Sequence, residues 1–123
     1  MKSSIVKDKS FEFALDIINL YKKLCASNEH IIARQLLRCG TSIGANIEEA
    51  LAGYSKKDFS SKMSISSKEA RETAYWLRLI QKSNLIDYPL DNLLIKVNEL
   101  IKILTSIVKT TQNNLNSTLK TKD

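Results

Sequence analysis

The sequence predicts an all-α protein, an antiparallel up-down-up-down four-helix bundle. Apolar residues recur at three-four spacing in four separate segments of the 123-residue chain, the pattern of helices that bury one face. Short clusters of Ser, Asn, Asp and Gly separate these segments, so neighbouring helices reverse direction. One Pro and three Gly are too few breakers for a β-rich fold. With 43% apolar residues, a chain of this length makes one domain with a real core. The bundle is expected over residues 1–112 and a flexible polar tail over 113–123.

The first helix is expected from about Asp8 or Ser10 to Ala26, with Asp8, Glu12 and Asp16 early and Lys22 and Lys23 late, as the helix dipole favours. At about 100° per residue, Phe11, Ala14, Ile18, Tyr21 and Cys25 share one face. Phe13, Ile17, Leu20 and Leu24 widen it beyond the stripe of an ordinary surface helix. Ser27-Asn28-Glu29-His30 is a turn with Ser27 and Asn28 as candidate N-caps.

The second helix is expected over about 31–52, its core face being Ile32, Leu36, Cys39, Ile43, Ile47 and Ala50. Beside it run Ala33, Leu37, Gly40, Gly44 and Leu51; the opposite flank carries Arg38, Ser42, Asn46 and Glu49. A glycine inside a helix costs about 1 kcal/mol relative to alanine, so the segment 38–50 needs close tertiary packing to hold it. Gly40 and Gly44, four apart, open a groove for a neighbouring backbone. Ser42 and Asn46 border the core and are read as a buried side-chain bond across the seam, with a polar hook to a partner as the other reading.

Gly53 suits the position just past a helix, and Ser55-Lys56-Lys57-Asp58 suits a capping box. The third helix runs to about residue 82 with the heptad seam Phe59, Met63, Ser66, Ala70, Thr73, Leu77 and Ile80. After the turn at residues 83–88, Pro89 fits a first helical turn. The fourth helix has the seam Leu90, Leu93, Val97, Leu100, Leu104 and Ile107.

The net charge is +6, which permits a nucleic acid or an acidic partner without requiring either. Cys25 and Cys39 sit among apolar residues without C-x-x-C spacing, as reduced thiols of a cytoplasmic protein do. No run approaches the roughly 18 apolar residues of a membrane span, and the N-terminus has no apolar signal region. His30 has no second histidine for a metal pair, and no Glu-x-x-His, phosphate loop or Cys–His pairing occurs. These absences predict a protein that is not an enzyme, with no metal and no cofactor.

Two faces of the third helix remain. Lys57, Lys68, Arg71, Arg78 and Lys82, with Tyr75 among them and no acid, form a stripe about 38 Å long at helical rise. It matches a phosphate backbone, and Tyr75 suits base stacking; a solvated outer face is the other reading. Lys22 and Lys23 are expected to extend this field. Ile65, Trp76 and Leu79, with Glu69 and Glu72, form a second stripe that suits a subunit contact. Leu37, Gly40 and Gly44 are assigned to the same contact.

Thr41 to Ala50, Ser55-Lys56-Lys57-Asp58-Phe59 and the block from Lys68 to Leu79 (KEARETAYWLRL) together resemble a known family. It is the family of bacterial four-helix bundle proteins encoded in intervening sequences of 23S rRNA genes, sometimes labelled ribosomal proteins. The resemblance spans residues 7–108. Many relatives have Pro at the position of Gly44 and Ala-Glu-Gly in place of Glu48-Glu49-Ala50, so the second helix is expected to be straighter here. The resemblance implies a ring-like homopentamer with no assigned activity. It is similar in fold to the accessory protein of diversity-generating retroelements, a basic pentamer that binds a reverse transcriptase and nucleic acid. The expected partners are therefore other copies of the chain, RNA or DNA, or a reverse transcriptase or ribosomal component, and no membrane.

Overall fold

Each apolar stripe winds into one helix. In a computed structural model of the chain, which describes residues 2–121 and the side chains of 5–117, these are α1 (Lys2–Ala26), α2 (His30–Leu51), α3 (Lys56–Lys82) and α4 (Asp91–Thr121). No strand occurs among the described residues. α1 packs on α2 and α4, and α3 packs on the same two helices. Lys7 early in α1 meets Glu48 late in α2 at 3.8 Å, and Lys62 early in α3 meets Glu49 at 3.3 Å. At the other end of α3, Gln81 donates to Asp91 at the start of α4, at 2.9 Å.

The seams of α3 and α4 follow their spacing, except that Phe59 at the head of the α3 seam is half-buried and Ser60 beside it is buried. Met63, Ser66, Ala70, Thr73, Leu77 and Ile80 are buried, as are Leu90, Leu93, Val97, Leu100, Leu104 and Ile107. On α2, Leu36, Cys39, Ile43, Ile47 and Ala50 are buried and Ile32 is half-buried. Each fully buried aliphatic side chain contributes about 2 kcal/mol of transfer free energy. Among the described residues no buried side-chain N or O atom lacks a partner.

α1 inserts a different edge from the one expected. Phe13, Ile17, Leu20 and Leu24 are its core residues, continued upstream by Val6 and Ser10, while Phe11 is 61% exposed. The reason lies on α2. Gly40 and Gly44 are buried under Ile17 and Ser10 of α1, and their missing side chains let the helices approach at that edge. Both glycines therefore belong to the α1–α2 contact within one chain, which corrects their assignment to a subunit interface. α1 also begins at Lys2, ahead of residue 8, because nothing in between breaks a helix and Val6 has a core site to fill.

Asparagine closes α1 and α3. Asn28 and Asn84 have φ of 62° and 52°, left-handed values that asparagine tolerates better than most residues. Asn28 N–H donates to Cys25 O and Glu29 N–H to Leu24 O, at 3.0 and 2.9 Å. Asn84 and Leu85 repeat the pattern on Gln81 and Ile80. This pair of bonds satisfies carbonyls at a helix C-terminus, so Asn28 closes α1 rather than capping α2. The residue in the N-cap position of α2 is Glu29, without a side-chain cap bond. Ser55 does cap α3, accepting from Asp58 N–H at 3.0 Å. Gly53 follows α2 where expected but has no positive φ, and Pro89 lies two residues ahead of α4.

α4 does not stop near residue 112. It continues to Thr121, since no Pro or Gly follows Pro89. The separate tail expected over 113–123 is thus helical through 121; residues 122 and 123, and the side chain of Leu119, lie outside the described residues.

Candidate nucleic-acid interface

The seam of α3 faces the core, and the residues about 180° from it at 100° per residue face outward. Lys57, Lys68, Arg71, Tyr75, Arg78 and Lys82 are all exposed. None of the five cations makes an ion pair among the described residues. Arg71 instead donates from Nη2 to Thr105 Oγ1 of α4 at 3.0 Å, which fixes its guanidinium at the α3–α4 groove.

That contact brings in two cations that a reading of α3 alone misses. Lys102 and Lys109 stand three residues before and four after Thr105, within about 60° of it on α4, and both are exposed. A helical wheel of α4 pairs them with each other, but only the α3–α4 register joins them to Arg71. Lys22 and Lys23 are not on the helix that carries this row. They lie on α1, which packs on α2 and α4.

The bundle's acids are concentrated elsewhere and several are engaged. Arg38 of α2 holds Glu69 at 3.3 Å and also pairs with Glu72. Partial burial works against the charge on Arg38, and Glu72 and Glu69 outweigh it, so its pKa is raised. Glu99 pairs with Lys9. Asp16 pairs with Lys96 at 2.7 Å, and this hydrogen bond and charge hold the ammonium's pKa above the usual lysine range.

Glu69 and Glu72 are thus partners of α2 within one chain. Trp76 is half-buried against the core and donates from Nε1 to Glu72 Oε2 at 3.1 Å. Ile65 and Leu79 beside it are each 39% exposed, and Leu37 is half-buried against the core. Ser42 and Asn46 do not bridge helices. Ser42 Oγ donates to Arg38 O at 2.7 Å and Asn46 Nδ2 to Ser42 O at 2.9 Å, both inside α2. The link across that seam is Ser66 Oγ to Ile43 O, at 2.8 Å.

The model of the 23S rRNA-intervening sequence protein family matches residues 2–106, the whole stretch that builds these faces apart from the last turns of α4. The chain belongs to this family. A crystal structure at 1.70 Å of a protein of unknown function from the S23 ribosomal protein family of Bacteroides thetaiotaomicron is also similar. It is 45% identical, with a TM-score of 0.83 over 89% of this chain and 99% of that one. No curated protein matches.

In this member of the 23S rRNA-intervening sequence family α2 is unbroken from His30 to Leu51, with Gly44 buried on Ser10 of α1. His30 is exposed at its first turn. Among the described residues no group of three His, Cys, Asp or Glu is placed to hold a metal ion. Among the described residues no helix is long and apolar enough to cross a membrane.

Proposed function

We propose that this protein is a non-enzymatic, self-assembling helical bundle of the cytoplasm that binds RNA or DNA weakly through the outward face of α3. The observation that carries this reading is a row of five exposed cations on one helix, none of them ion-paired among the described residues. Phosphates attract such a row without regard to sequence. Arg71 sits at the centre of the row, held by Thr105, and Lys102 and Lys109 broaden the row onto α4. Like the whole chain at +6, this face favours an anionic partner.

The helices run up-down-up-down in antiparallel order, which the contacts of Lys7 with Glu48 and of Gln81 with Asp91 support. Five copies form a ring, as the family resemblance implies, and the ring repeats the basic face so that many weak contacts act together. Phe11, Leu15, Ile65 and Leu79, apolar and at least 39% exposed, supply surface for copies to cover. The same residues favour a second reading, a scaffold that docks a reverse transcriptase or a ribosomal component without touching nucleic acid.

Labelled structured RNA separates the two. Binding at low salt that disappears in the doubly substituted Arg71→Glu, Arg78→Glu chain supports the basic face. Absence of binding to RNA or DNA at low salt leaves only the scaffold.

A further inference from the structure

We propose that this face takes single-stranded nucleic acid, laid along the α3–α4 groove with an unpaired base stacked on Tyr75. The inference rests on the basic-face reading and narrows it, because cations alone suit a duplex as well as a single strand.

The first discriminating feature is the aromatic ring inside the cation row. Tyr75 is 49% exposed, with Arg71 one turn before it and Arg78 one turn after. Its ring meets Trp76 edge to face, with centroids 5.6 Å apart and planes at 70°. Trp76 is itself packed on the core and bonded to Glu72, so Tyr75 is steadied from behind. A duplex keeps its base faces stacked on one another and offers nothing to such a ring. An unpaired base offers its whole π-face, and aromatic platforms among cations are how sequence-tolerant single-strand binders work.

The second feature is the chemistry of the groove one turn away. Around Arg71 it is lined by Thr105, Lys109, Gln112, Asn113 and Asn116. Phosphate oxygens need only donors, and the lysine and arginine provide them. Carboxamides present a donor and an acceptor side by side, which matches the exposed edge of an unpaired base. Cations, a held aromatic ring and free amide edges on one surface together specify an unpaired strand.

Fluorescence anisotropy at low salt tests this with one labelled oligonucleotide of mixed sequence, used single-stranded and as its blunt duplex. The single strand is expected to bind at least about 10-fold more tightly. Tyr75→Ala should weaken the single strand about 10-fold and leave the duplex unchanged, while Tyr75→Phe retains wild-type affinity. Tyr75→Leu, which keeps apolar bulk without a π-face, should behave as Tyr75→Ala does and controls for lost packing. Equal or tighter duplex binding, or a Tyr75→Ala chain as good as wild type on the single strand, overturns the single-strand assignment and spares the basic face. If neither probe binds, the basic-face reading goes too.

Discussion

Gly40 of α2 lies hard against Ile17 of α1: a Cβ at Gly40 would stand 2.8 Å from both Cγ1 and Cγ2 of Ile17. Ile17 is fully buried and β-branched, so it cannot step aside. Overpacking costs about 1–3 kcal/mol, and replacing glycine in a helix returns about 1. Gly40→Ala is expected to lower stability by about 1 kcal/mol in urea unfolding. At Gly44 the new Cβ would meet Ser10 Oγ at 3.3 Å and its backbone at 3.5 Å, so Gly44→Ala should lie within about 0.5 kcal/mol of wild type. Equal losses at the two sites would contradict this packing.

Ser66→Ala removes the bond that joins the buried face of α3 to the Ile43 carbonyl of α2. The Ile43 carbonyl lies inside α2 and keeps its place in the helical ladder, so the loss is that of one bond and not of an orphaned acceptor. A decrease of about 1 kcal/mol is expected, seen as a melting point lower by about 4 °C. A stabilised Ser66→Ala chain would show that the hydroxyl is a burden there.

Cys39 has no exposed surface and donates from Sγ to Leu36 O at 3.6 Å. Burial pushes its pKa up, and a hydrogen bond with Thr73 only partly counters that. Its thiol therefore stays protonated where an unfolded cysteine ionises, so this site's contribution is intact below about pH 8.5 and declines as pH rises through the folded value. With a thiol reagent at pH 8, Cys25, which is half-buried, should react first. Cys39 should lag at least about 100-fold until urea opens the bundle. Matching rates in the native protein would refute the burial.

Assembly has its own measurement. Light scattering at micromolar protein should give a mass near five times 13.9 kDa. Charge placed on the exposed stripes, by Phe11→Glu or Leu79→Glu, should shift it toward a single chain. A wild-type mass near 13.9 kDa would remove the subunit contact.

The legible parts of this fold were those where one stripe stood apart. α3 carries one unbroken heptad seam from Met63 to Ile80, distinct from its shorter stripe of Ile65, Trp76 and Leu79, and its core face follows from spacing. α1 carries two overlapping stripes, and nothing in its own residues says that Phe13 and Ile17 go inward while Phe11 stays out. Gly40 and Gly44 decide that, from another helix. Asn28 and Asn84 look alike as turn residues and act alike as left-handed closers, a role visible only in φ. The polar composition after Thr110 suggested a tail, yet it contains no breaker and the helix simply continues. On the candidate face, α3 was readable residue by residue. Lys102, Lys109 and the amides of α4 became part of it only through the Arg71–Thr105 contact.

The salt dependence of binding reports how many phosphates the basic face neutralises. If Lys68, Arg71, Arg78, Lys102 and Lys109 each neutralise one phosphate of a single strand, log K should fall with log salt at a slope of about −3.5. That is about a 100-fold loss between 50 and 200 mM, and Arg71→Glu with Arg78→Glu should bring the slope to about −2 or abolish binding. A slope near zero, or one the double substitution leaves unchanged, would rule out phosphate contact by this face.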